Sequence, residues 1–372
     1  MQILPFKALY PNFDAIASPD AFCSDAKNEF QAFQGLGLYE HLPQDALYIY
    51  QIESKTGLHT GLVALDAVDD YFAGKIKKHE KTLDAREQHQ MELFLRWNAL
   101  LKAVLLTYPP VPDITRWLLD FTQAEAPLFS TNFIKDHQIH RVWAVTEKTD
   151  IARLQYLFAT HVQATYIADG HHRTTAIAML HEQMKDKKPE YDFSNLLCAF
   201  FSSDQLDILD YNRVVAGLKD ISPAHFMVEL SALFDMEKLK GRRRKAGHKH
   251  EVILYLQHEW FKLRWKPELL SRFPPDRVLL DATLLNEFVL RDILGIEDVR
   301  TDKRIIYVEG SKGPDGIRKL VNDHEDRIGF MLYAVSFEDL MHLADQGESL
   351  PPKSTYFEPR MKTGLLVKIL KI

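Results

Sequence analysis

Hydrophobic residues occur along the chain both as short runs typical of strands and as longer stretches with helical spacing. Two apolar runs, residues 46–52 and 60–68, flank a Lys55-Thr56-Gly57 turn and predict a β-hairpin. Residues 83–101 carry apolar side chains at helical intervals, so a helix is predicted there. Further strands are predicted at residues 103–108, 140–146, 164–168 and 196–202, and further helices at 68–72, 113–121 and 150–159.

The same alternation continues in the second half of the chain. Strands are predicted at residues 206–215, 252–256, 260–265, 304–308, 328–335 and 364–367, and helices at 216–235, 277–294, 313–322 and 337–344. Residues 1–40 are predicted to be irregular, because Pro5, Pro11 and Pro19 interrupt any long element. The alternation favours a mixed α/β (α+β) fold, with an N-terminal α/β region at 1–215 and a C-terminal α+β region at 216–372.

Composition and charge narrow the classes of partner. The 372 residues are 46% hydrophobic and 26% charged, which is typical of a globular protein. A formal net charge of −6 does not favour binding to nucleic acid or to an anionic membrane. The two cysteines, Cys23 and Cys198, exclude a disulfide framework and suit a reducing compartment. No signal peptide or membrane-spanning apolar run is apparent, so we expect a cytoplasmic protein with a small-molecule or nucleotide ligand. Nothing in the sequence indicates the oligomeric state.

One turn concentrates polar side chains between a predicted strand and a predicted helix. It is Asp169-Gly170-His171-His172-Arg173, which follows the apolar run 164–168 and precedes a helical stretch from Thr174. The first N–H groups of a helix have no partner within the helix and attract anions, commonly phosphate. Gly170 lets a ligand approach the backbone closely, and Arg173 offers a fork of donors to phosphate oxygens.

The remaining side chains of the turn suit proton transfer or metal binding. His171 and His172 can donate to an anion or move a proton near neutral pH. Asp169 can hold Mg²⁺, orient a histidine or accept a proton. Each residue also has a structural alternative, since Asp169 is a favoured helix N-cap and either histidine can be buried and hydrogen-bonded. Together, in a single turn, they favour a functional site over a simple connector.

A second polar group lies just before the predicted helix at 83–101. Glu80 is a candidate base or metal ligand, with His79 beside it and Arg86 as a candidate phosphate contact. Thr82 is a candidate N-cap for the helix. The alternative is a solvated charged loop followed by a helix start. Position 83 is Leu, so the H-E-x-x-H motif of zinc proteases is not present.

A third polar group lies near the end of the chain, where Pro351-Pro352 precede Lys353-Ser354-Thr355. The lysine and the two hydroxyls are donors that suit phosphate, although the glycines of a P-loop are not present. The alternative is a proline-rich closing loop that is packed by the aromatic side chains of Tyr356 and Phe357.

These motifs carry two resemblances. Asp169-Gly170-His171-His172-Arg173 resembles the signature of the ParB/sulfiredoxin-like superfamily, which implies a core of that type around residues 164–180 and a phosphate-binding turn. That superfamily includes nucleases, a CTP-binding partition protein, sulfiredoxin and free-serine kinases. His79-Glu80-Lys81-Thr82, the central turn, and the segment from Pro351 to Pro359 occur in the order found in the family called domain of unknown function 1015 (DUF1015). One segment departs from that family, whose members usually have Pro-Pro-Tyr-Asp where this chain has Ser18-Pro19-Asp20.

The resemblance implies a nucleotide-dependent phosphotransferase that acts on a small hydroxyl substrate, similar to the free-serine kinases. ATP or ADP and Mg²⁺ are the cofactors expected for such an enzyme. Two alternatives stay open, a regulatory module that binds a nucleotide or anion without turnover and a metal-dependent phosphodiester hydrolase. The roles expected are catalysis by Glu80, Asp169 and His172, phosphate or nucleotide binding by Gly170, His171, His172, Arg173, Lys353, Ser354 and Thr355, and metal binding by Asp169.

Overall fold

The computed structural model describes residues 1–80, 82–184, 187, 190–218, 221–240 and 245–371. The chain forms two compact units, of which unit 1 comprises Met1–Asp207 with Pro359–Ile372 and unit 2 comprises Ile208–Glu358. The sequence predicts one boundary after residue 215. The structure instead has two boundaries, because the end of the chain returns to pair with strands of unit 1.

Unit 1 contains helices on a large mixed sheet and a smaller second sheet. Its helices are α1 Pro19–Gly35, α2 Val68–Phe72, α3 Asp84–Trp97, α4 Pro112–Ala124, α5 Lys148–His161 and α6 His171–Met184. Its strands are β1 Ile3–Leu4, β2 Ala8–Pro11, β3 Tyr39–His41, β4 Leu47–Ser54, β5 Gly57–Ala67, β6 Ile76–Lys77, β7 Ala99–Leu100, β8 Val104–Tyr108, β9 Phe129–Phe133, β10 Gln138–Val145, β11 Thr165–Asp169, β12 Asn195–Ser202 and β21 Val367–Ile369.

The large sheet has the order β6-β11-β8-β12-β5-β4-β10-β9, and β1 pairs with β5. Two of its pairings, β6 with β11 and β8 with β12, are parallel, whereas its other pairings are antiparallel. All eight residues of β12 except the first are buried, as expected for a strand covered on both faces. The second sheet, β3-β2-β21-β7, contains the last strand of the chain between β2 and β7.

The prediction that residues 1–40 are irregular is wrong, because α1 occupies 17 of them. Pro19 lies in the first turn of α1, where a proline leaves no helical hydrogen bond unmade. Ser18 is the N-cap, and its hydroxyl accepts a hydrogen bond from Ala21 N at 3.3 Å. The Asp20 carboxylate accepts one from Ile134 N at 2.9 Å. The segment that departs from the DUF1015 pattern therefore has a structural role in starting α1.

Unit 2 is built on an antiparallel sheet with the order β15-β17-β16-β19-β14-β18. The strands of that sheet are β14 Tyr211–Ala216, β15 Phe234–Lys238, β16 Glu251–Leu256, β17 Glu259–Trp265, β18 Ile305–Glu309 and β19 Arg327–Met331. Two further strands, β13 Asp207–Leu209, which begins at the unit boundary, and β20 Tyr356–Glu358, pair with each other. The helices of unit 2 are α7 Pro223–Leu233, α8 Pro267–Leu270, α9 Asp281–Leu284, α10 Gly313–Asn322 and α11 Phe337–Asp345, with a π-helix at Leu285–Arg291. Apolar side chains are buried on both faces of the sheet, and α10 covers one face through Ile317 and Val321.

The mixed α/β fold class is confirmed, and most predicted elements occur close to their predicted positions. Apart from the missed helix α1, several errors lie at element ends. The helix predicted at 83–101 ends at Trp97, because Asn98 has a left-handed conformation with φ +53°. Its N-cap is Leu83 without a side-chain hydrogen bond, so the prediction of Thr82 as N-cap is wrong. The helix predicted at 277–294 begins at Asp281 and continues as the π-helix.

None of the helices in the described ranges is long and apolar enough to span a membrane.

Candidate functional site

The two polar motifs of unit 1 meet because their strands are parallel neighbours. β6 pairs with β11 in the register Thr165 to Ile76 and Tyr166 to Lys77. The carboxyl ends of both strands therefore lie at the same edge of the sheet. Asp169 is the last residue of β11, and Glu80 follows β6 by three residues. The structure thus brings together side chains that are about ninety positions apart in the sequence.

The antiparallel strand β8 brings a third segment to the same edge. Asp169 is opposite Leu105, so the residues immediately before β8, Lys102 and Ala103, lie beside it. The register between β8 and β11 shifts between Ile167 and Asp169, which marks a β-bulge at Ala168. Bulges redirect the side chains next to them and are frequent beside functional sites.

Two cations hold the Asp169 carboxylate. Arg173 Nη2 lies 3.0 Å and Lys102 Nζ 3.4 Å from Asp169 Oδ2. Arg173 Nη2 also donates to the carbonyl of Ala103 at 3.2 Å. Burial would raise the pKa of Asp169, but the charges of Arg173, Lys102 and Arg360 outweigh it and hold this pKa well below its usual range. Asp169 is therefore ionised at any physiological pH.

Gly170 connects β11 to α6 in a conformation that other residues rarely adopt. Its φ is +115°, and a Cβ built on it would lie 2.7 Å from Arg173 Nη2. The N–H of Thr174 donates to the Gly170 carbonyl at 2.9 Å, which starts the hydrogen-bond ladder of α6. The absence of a side chain at position 170 therefore leaves the space in which the Arg173 guanidinium contacts Asp169.

Glu80 and His171 form the second half of the site. Glu80 Oε2 lies 3.5 Å from His171 Nδ1, and His79 N points at His171 Nε2, also at 3.5 Å. A backbone N–H directed at Nε2 makes that nitrogen the acceptor, so the proton of neutral His171 is on Nδ1 and faces Glu80. Burial and the neighbouring His79 lower the pKa of His171 well below its usual value, so this histidine is neutral.

His79 is a buried partner of this pair. Its side chain is 3% exposed, and its ring lies edge-to-face against His171 with 4.5 Å between ring centroids. Burial lowers the pKa of His79 to about 4, so it too is neutral at pH 7. The two histidines add no charge to the site, and the positive charge there comes from lysine and arginine.

The other predicted site residues lie outside the contacts described so far. His172 is partly exposed in the first turn of α6, and Arg86 is exposed in the first turn of α3, which packs against α6. Lys81, part of the resemblance to DUF1015, lies outside the described residues. Lys353, Ser354 and Thr355 belong to unit 2.

The surroundings of Asp169 do not fit a metal ligand. Both contacts of its carboxylate are to cations, and these would have to move before Mg²⁺ could bind directly. No cluster of three or more His, Cys, Asp or Glu side chains suited to a metal occurs among the residues that the structure describes. The geometry instead suits a carboxylate that positions Lys102 and Arg173.

Sequence patterns missed two cations of this site. Lys102 precedes a run that predicts only a buried strand, and Arg360 follows the proline-rich segment without any motif of its own. Both act on Asp169, yet nothing in the local sequence shows that their segments lie beside β11. Lys102 comes to the site through the pairing of β8 with β11, which is a non-local property of the sheet.

Comparison with known proteins identifies a family and several weak structural similarities. A family model described as a protein of unknown function (DUF1015) matches residues 10–285. A comparison with curated protein sequences gave no match.

Solved structures similar to this chain include a free serine kinase variant in complex with ADP, with 14% sequence identity and a TM-score of 0.42 over 83% of this chain and 92% of that chain. SbnI with a C-terminal truncation, from Staphylococcus aureus, has 11% identity and a TM-score of 0.43 over 82% and 87%. A conserved hypothetical protein from Pyrococcus furiosus has 15% identity and a TM-score of 0.39 over 82% and 95%. At these values the similarity says nothing about activity.

Proposed function

The chain belongs to the DUF1015 family, and for this member we propose a nucleotide-dependent phosphotransferase that acts on a small hydroxyl substrate. The observation that carries the proposal is the convergence of Glu80 with the turn from Asp169 to Arg173 in unit 1. One half of the site offers a carboxylate base, and the other offers positive charge at the start of a helix. The resemblance of the turn to phosphate-binding turns of the ParB/sulfiredoxin-like superfamily agrees with this assignment.

The charge balance of the turn suits phosphate. Lys102, Arg173 and Arg360 act on the single carboxylate of Asp169, so positive charge remains after that carboxylate is neutralised. The site also lies at the amino end of α6, whose first N–H groups point outward with the positive end of the helix dipole. Burial lowers the pKa of Lys102 and Asp169 acts against that effect, so the carboxylate helps to keep the lysine charged.

Glu80 has the position of a general base. His171 Nδ1–H faces one carboxylate oxygen and orients the group, while the side chain is 39% exposed and accessible to a substrate. In the proposed step, Glu80 takes the proton of the substrate hydroxyl as the hydroxyl oxygen forms a bond to the transferred phosphorus. The bond from that phosphorus to the leaving nucleotide oxygen breaks at the same time, and the nucleotide departs with that electron pair. No step is assigned to a metal ion, because the donors around Asp169 do not fit one.

Turnover separates this proposal from its alternatives. A regulatory module would bind nucleotide at the same turn without forming a phosphorylated product. A metal-dependent hydrolase needs a ligand cluster, and the described residues offer none. The basis for preferring transfer is the accessible Glu80 carboxylate, which an anion-binding module does not require.

The test is phosphate transfer from ATP or ADP to a panel of small hydroxy acids, including serine, followed by product analysis. Glu80→Gln keeps the size of the side chain but removes the base, and it should lower kcat by about 100-fold or more. Glu92→Gln, at an exposed position of α3, is the matched control and should retain full activity. Equal turnover by Glu80→Gln and the wild type would refute Glu80 as the base. Nucleotide binding without any product would favour the regulatory module.

A further inference from the structure

Lys102 lies beside Asp169 in unit 1 although no sequence motif marks it. Its ammonium is 3.4 Å from Asp169 Oδ2, and this is its one ion pair among the residues that the structure describes. The lysine side chain is 18% exposed, so most of it is enclosed while part of it stays accessible. An ammonium group has three donors, so a contact with one carboxylate oxygen leaves donors available to a ligand.

The order of strands at this edge of the large sheet separates Lys102 from Glu80. The middle strand β11, which ends at Asp169, lies between β6 and β8. Glu80 follows β6, whereas Lys102 precedes β8 by two residues. Adjacent strands are about 4.8 Å apart, so β6 and β8 are separated by roughly 10 Å. Glu80, which contacts His171, and Lys102, which contacts Asp169, therefore lie on opposite flanks of the turn.

Phosphoryl transfer in line requires groups on two opposite sides of the phosphorus. The attacking oxygen lies on one side of the transferred phosphorus and the leaving oxygen on the other. With the transferred group at the amino end of α6, a hydroxyl activated by Glu80 attacks from the β6 flank. The leaving oxygen then faces the β8 flank, where the Lys102 ammonium lies.

We propose that Lys102 is a further catalytic residue, which stabilises the oxygen that leaves with the nucleotide; this inference rests on the proposed function. As the hydroxyl oxygen bonds to phosphorus, its proton goes to Glu80 and the bond from phosphorus to the nucleotide oxygen breaks. That oxygen keeps the electron pair, and the Lys102 ammonium neutralises its growing charge without giving up a proton. Asp169 is the positioning residue that holds the ammonium at this place.

The variant Lys102→Met tests this role, because methionine keeps the apolar stem of lysine and removes its charge. The contact strengthens as charge develops on the leaving oxygen, so kcat should fall by about 100-fold or more. The KM of the nucleotide should rise by less than about tenfold. Lys102→Arg keeps a positive charge and should recover about tenfold or more of the lost kcat. Lys148→Met, at an exposed position of α5, is the matched control and should keep the wild-type kcat.

The pH dependence of kcat gives a readout that a purely structural role would not change. Burial lowers the pKa of Lys102 below its ordinary value of 10.5, Asp169 opposes this effect, and Arg173 and Arg360 add to it. The ammonium therefore loses its proton as the pH rises, and kcat of the wild type should decrease with a midpoint below 10.5. In Lys102→Arg this alkaline decrease should move to higher pH, because arginine stays charged.

Three results would overturn the role of Lys102. They are an unchanged kcat in Lys102→Met, an effect of Lys102→Met that is confined to KM, and an alkaline decrease that Lys102→Arg leaves in place. Circular dichroism of each variant separates a lost contact from a lost fold. Turnover by the wild type that Lys102→Met matches would refute this role alone. No transfer by the wild type to any hydroxy acid would refute the proposed function and this step together.

Discussion

Two aspartates of unit 1, the partly exposed Asp169 and the buried Asp66, lie in opposite electrostatic surroundings, and their pKa values move in opposite directions. Asp169 is surrounded by cations, which hold its pKa well below the usual range against the effect of burial. Asp66 has a relative exposure of 0%, and burial together with the charge of Asp70 raises its pKa to about 8. At neutral pH, Asp169 is thus a negative charge in the candidate site, whereas Asp66 is a largely neutral acid in the core.

Asp66 makes the stability of the protein depend on pH. Its ordinary pKa is 3.8, so between about pH 4 and pH 8 the folded protein holds a proton that the unfolded chain has lost. The free energy of unfolding should therefore fall as the pH rises through this window, by up to about 1.4 kcal/mol per pH unit from this group. Asp66→Asn should flatten that dependence in urea titrations at pH 5, 6, 7 and 8, whereas Asp69→Asn, in an exposed position, should not. An unchanged slope in Asp66→Asn would contradict this assignment.

Gly170 offers a test of the contact between Arg173 and Asp169. Gly170→Ala should lower the free energy of unfolding by about 1–3 kcal/mol, because φ is +115° and the new Cβ would lie against the guanidinium. In an Arg173→Ala background, Gly170→Ala should lower the free energy of unfolding by less. The steric contact with the guanidinium is then gone, and only the unfavourable backbone conformation at position 170 remains. Gly35→Ala is the control, because a Cβ there meets no atom within 4 Å. Equal losses in the two backgrounds would show that Gly170 and Arg173 are independent.

Among the secondary-structure elements, local patterns were informative where one face or both faces of an element are buried. The hairpin of β4 and β5, the strand–turn–helix of β11 and α6, and α10 all occur close to their predicted positions. Part of the candidate site was also predictable from local sequence, because the turn from Asp169 to Arg173 and the segment around Glu80 contain recognisable motifs. Lys102 was missed because its place in the site depends on which strand pairs with β11, and that is a non-local property of the sheet.

The error at α1 shows how a local rule can mislead. A proline interrupts a helix in its interior, but at the start of a helix, as at Pro19, it is favourable, and Ser18 supplies the cap. Ser18→Ala should therefore lower the free energy of unfolding by about 1 kcal/mol through loss of the cap. Ser24→Ala, at an exposed position inside α1, should be neutral or slightly stabilising, as alanine is the better helix former. Chemical denaturation of both variants checks this, and equal effects would argue against the cap.

On the scale of the whole molecule, the chain leaves unit 1 after Asp207 and returns to it at Pro359. The returning segment supplies β21 to the second sheet of unit 1 and Arg360 to the surroundings of Asp169. A single boundary after residue 215 was predicted because strand and helix alternation continues without any signal of return. Long-range pairing of this kind is not encoded in local periodicity.

Removal of the returning segment should lower the thermal stability of unit 1. A chain that ends at Glu358 would leave β2 and β7 without their shared partner β21, so its thermal midpoint should fall clearly below that of the full chain. Lys368→Ala, in the same strand, is a milder control that keeps the backbone pairing and should shift stability by less than about 0.5 kcal/mol. An unchanged midpoint after truncation, measured by calorimetry, would mean that β21 is dispensable.

We propose that the phosphates of a nucleotide bind at the turn from Asp169 to Arg173, and the Kd of ADP for the wild type and for Arg173→Ala tests this. Arg173→Ala should weaken the binding of ADP by about tenfold or more, because a charge-assisted hydrogen bond is lost. Arg153→Ala, at an exposed position of α5, should leave the Kd unchanged. Binding of ADP with the same Kd by wild type and Arg173→Ala, or no binding by the wild type, would contradict the account.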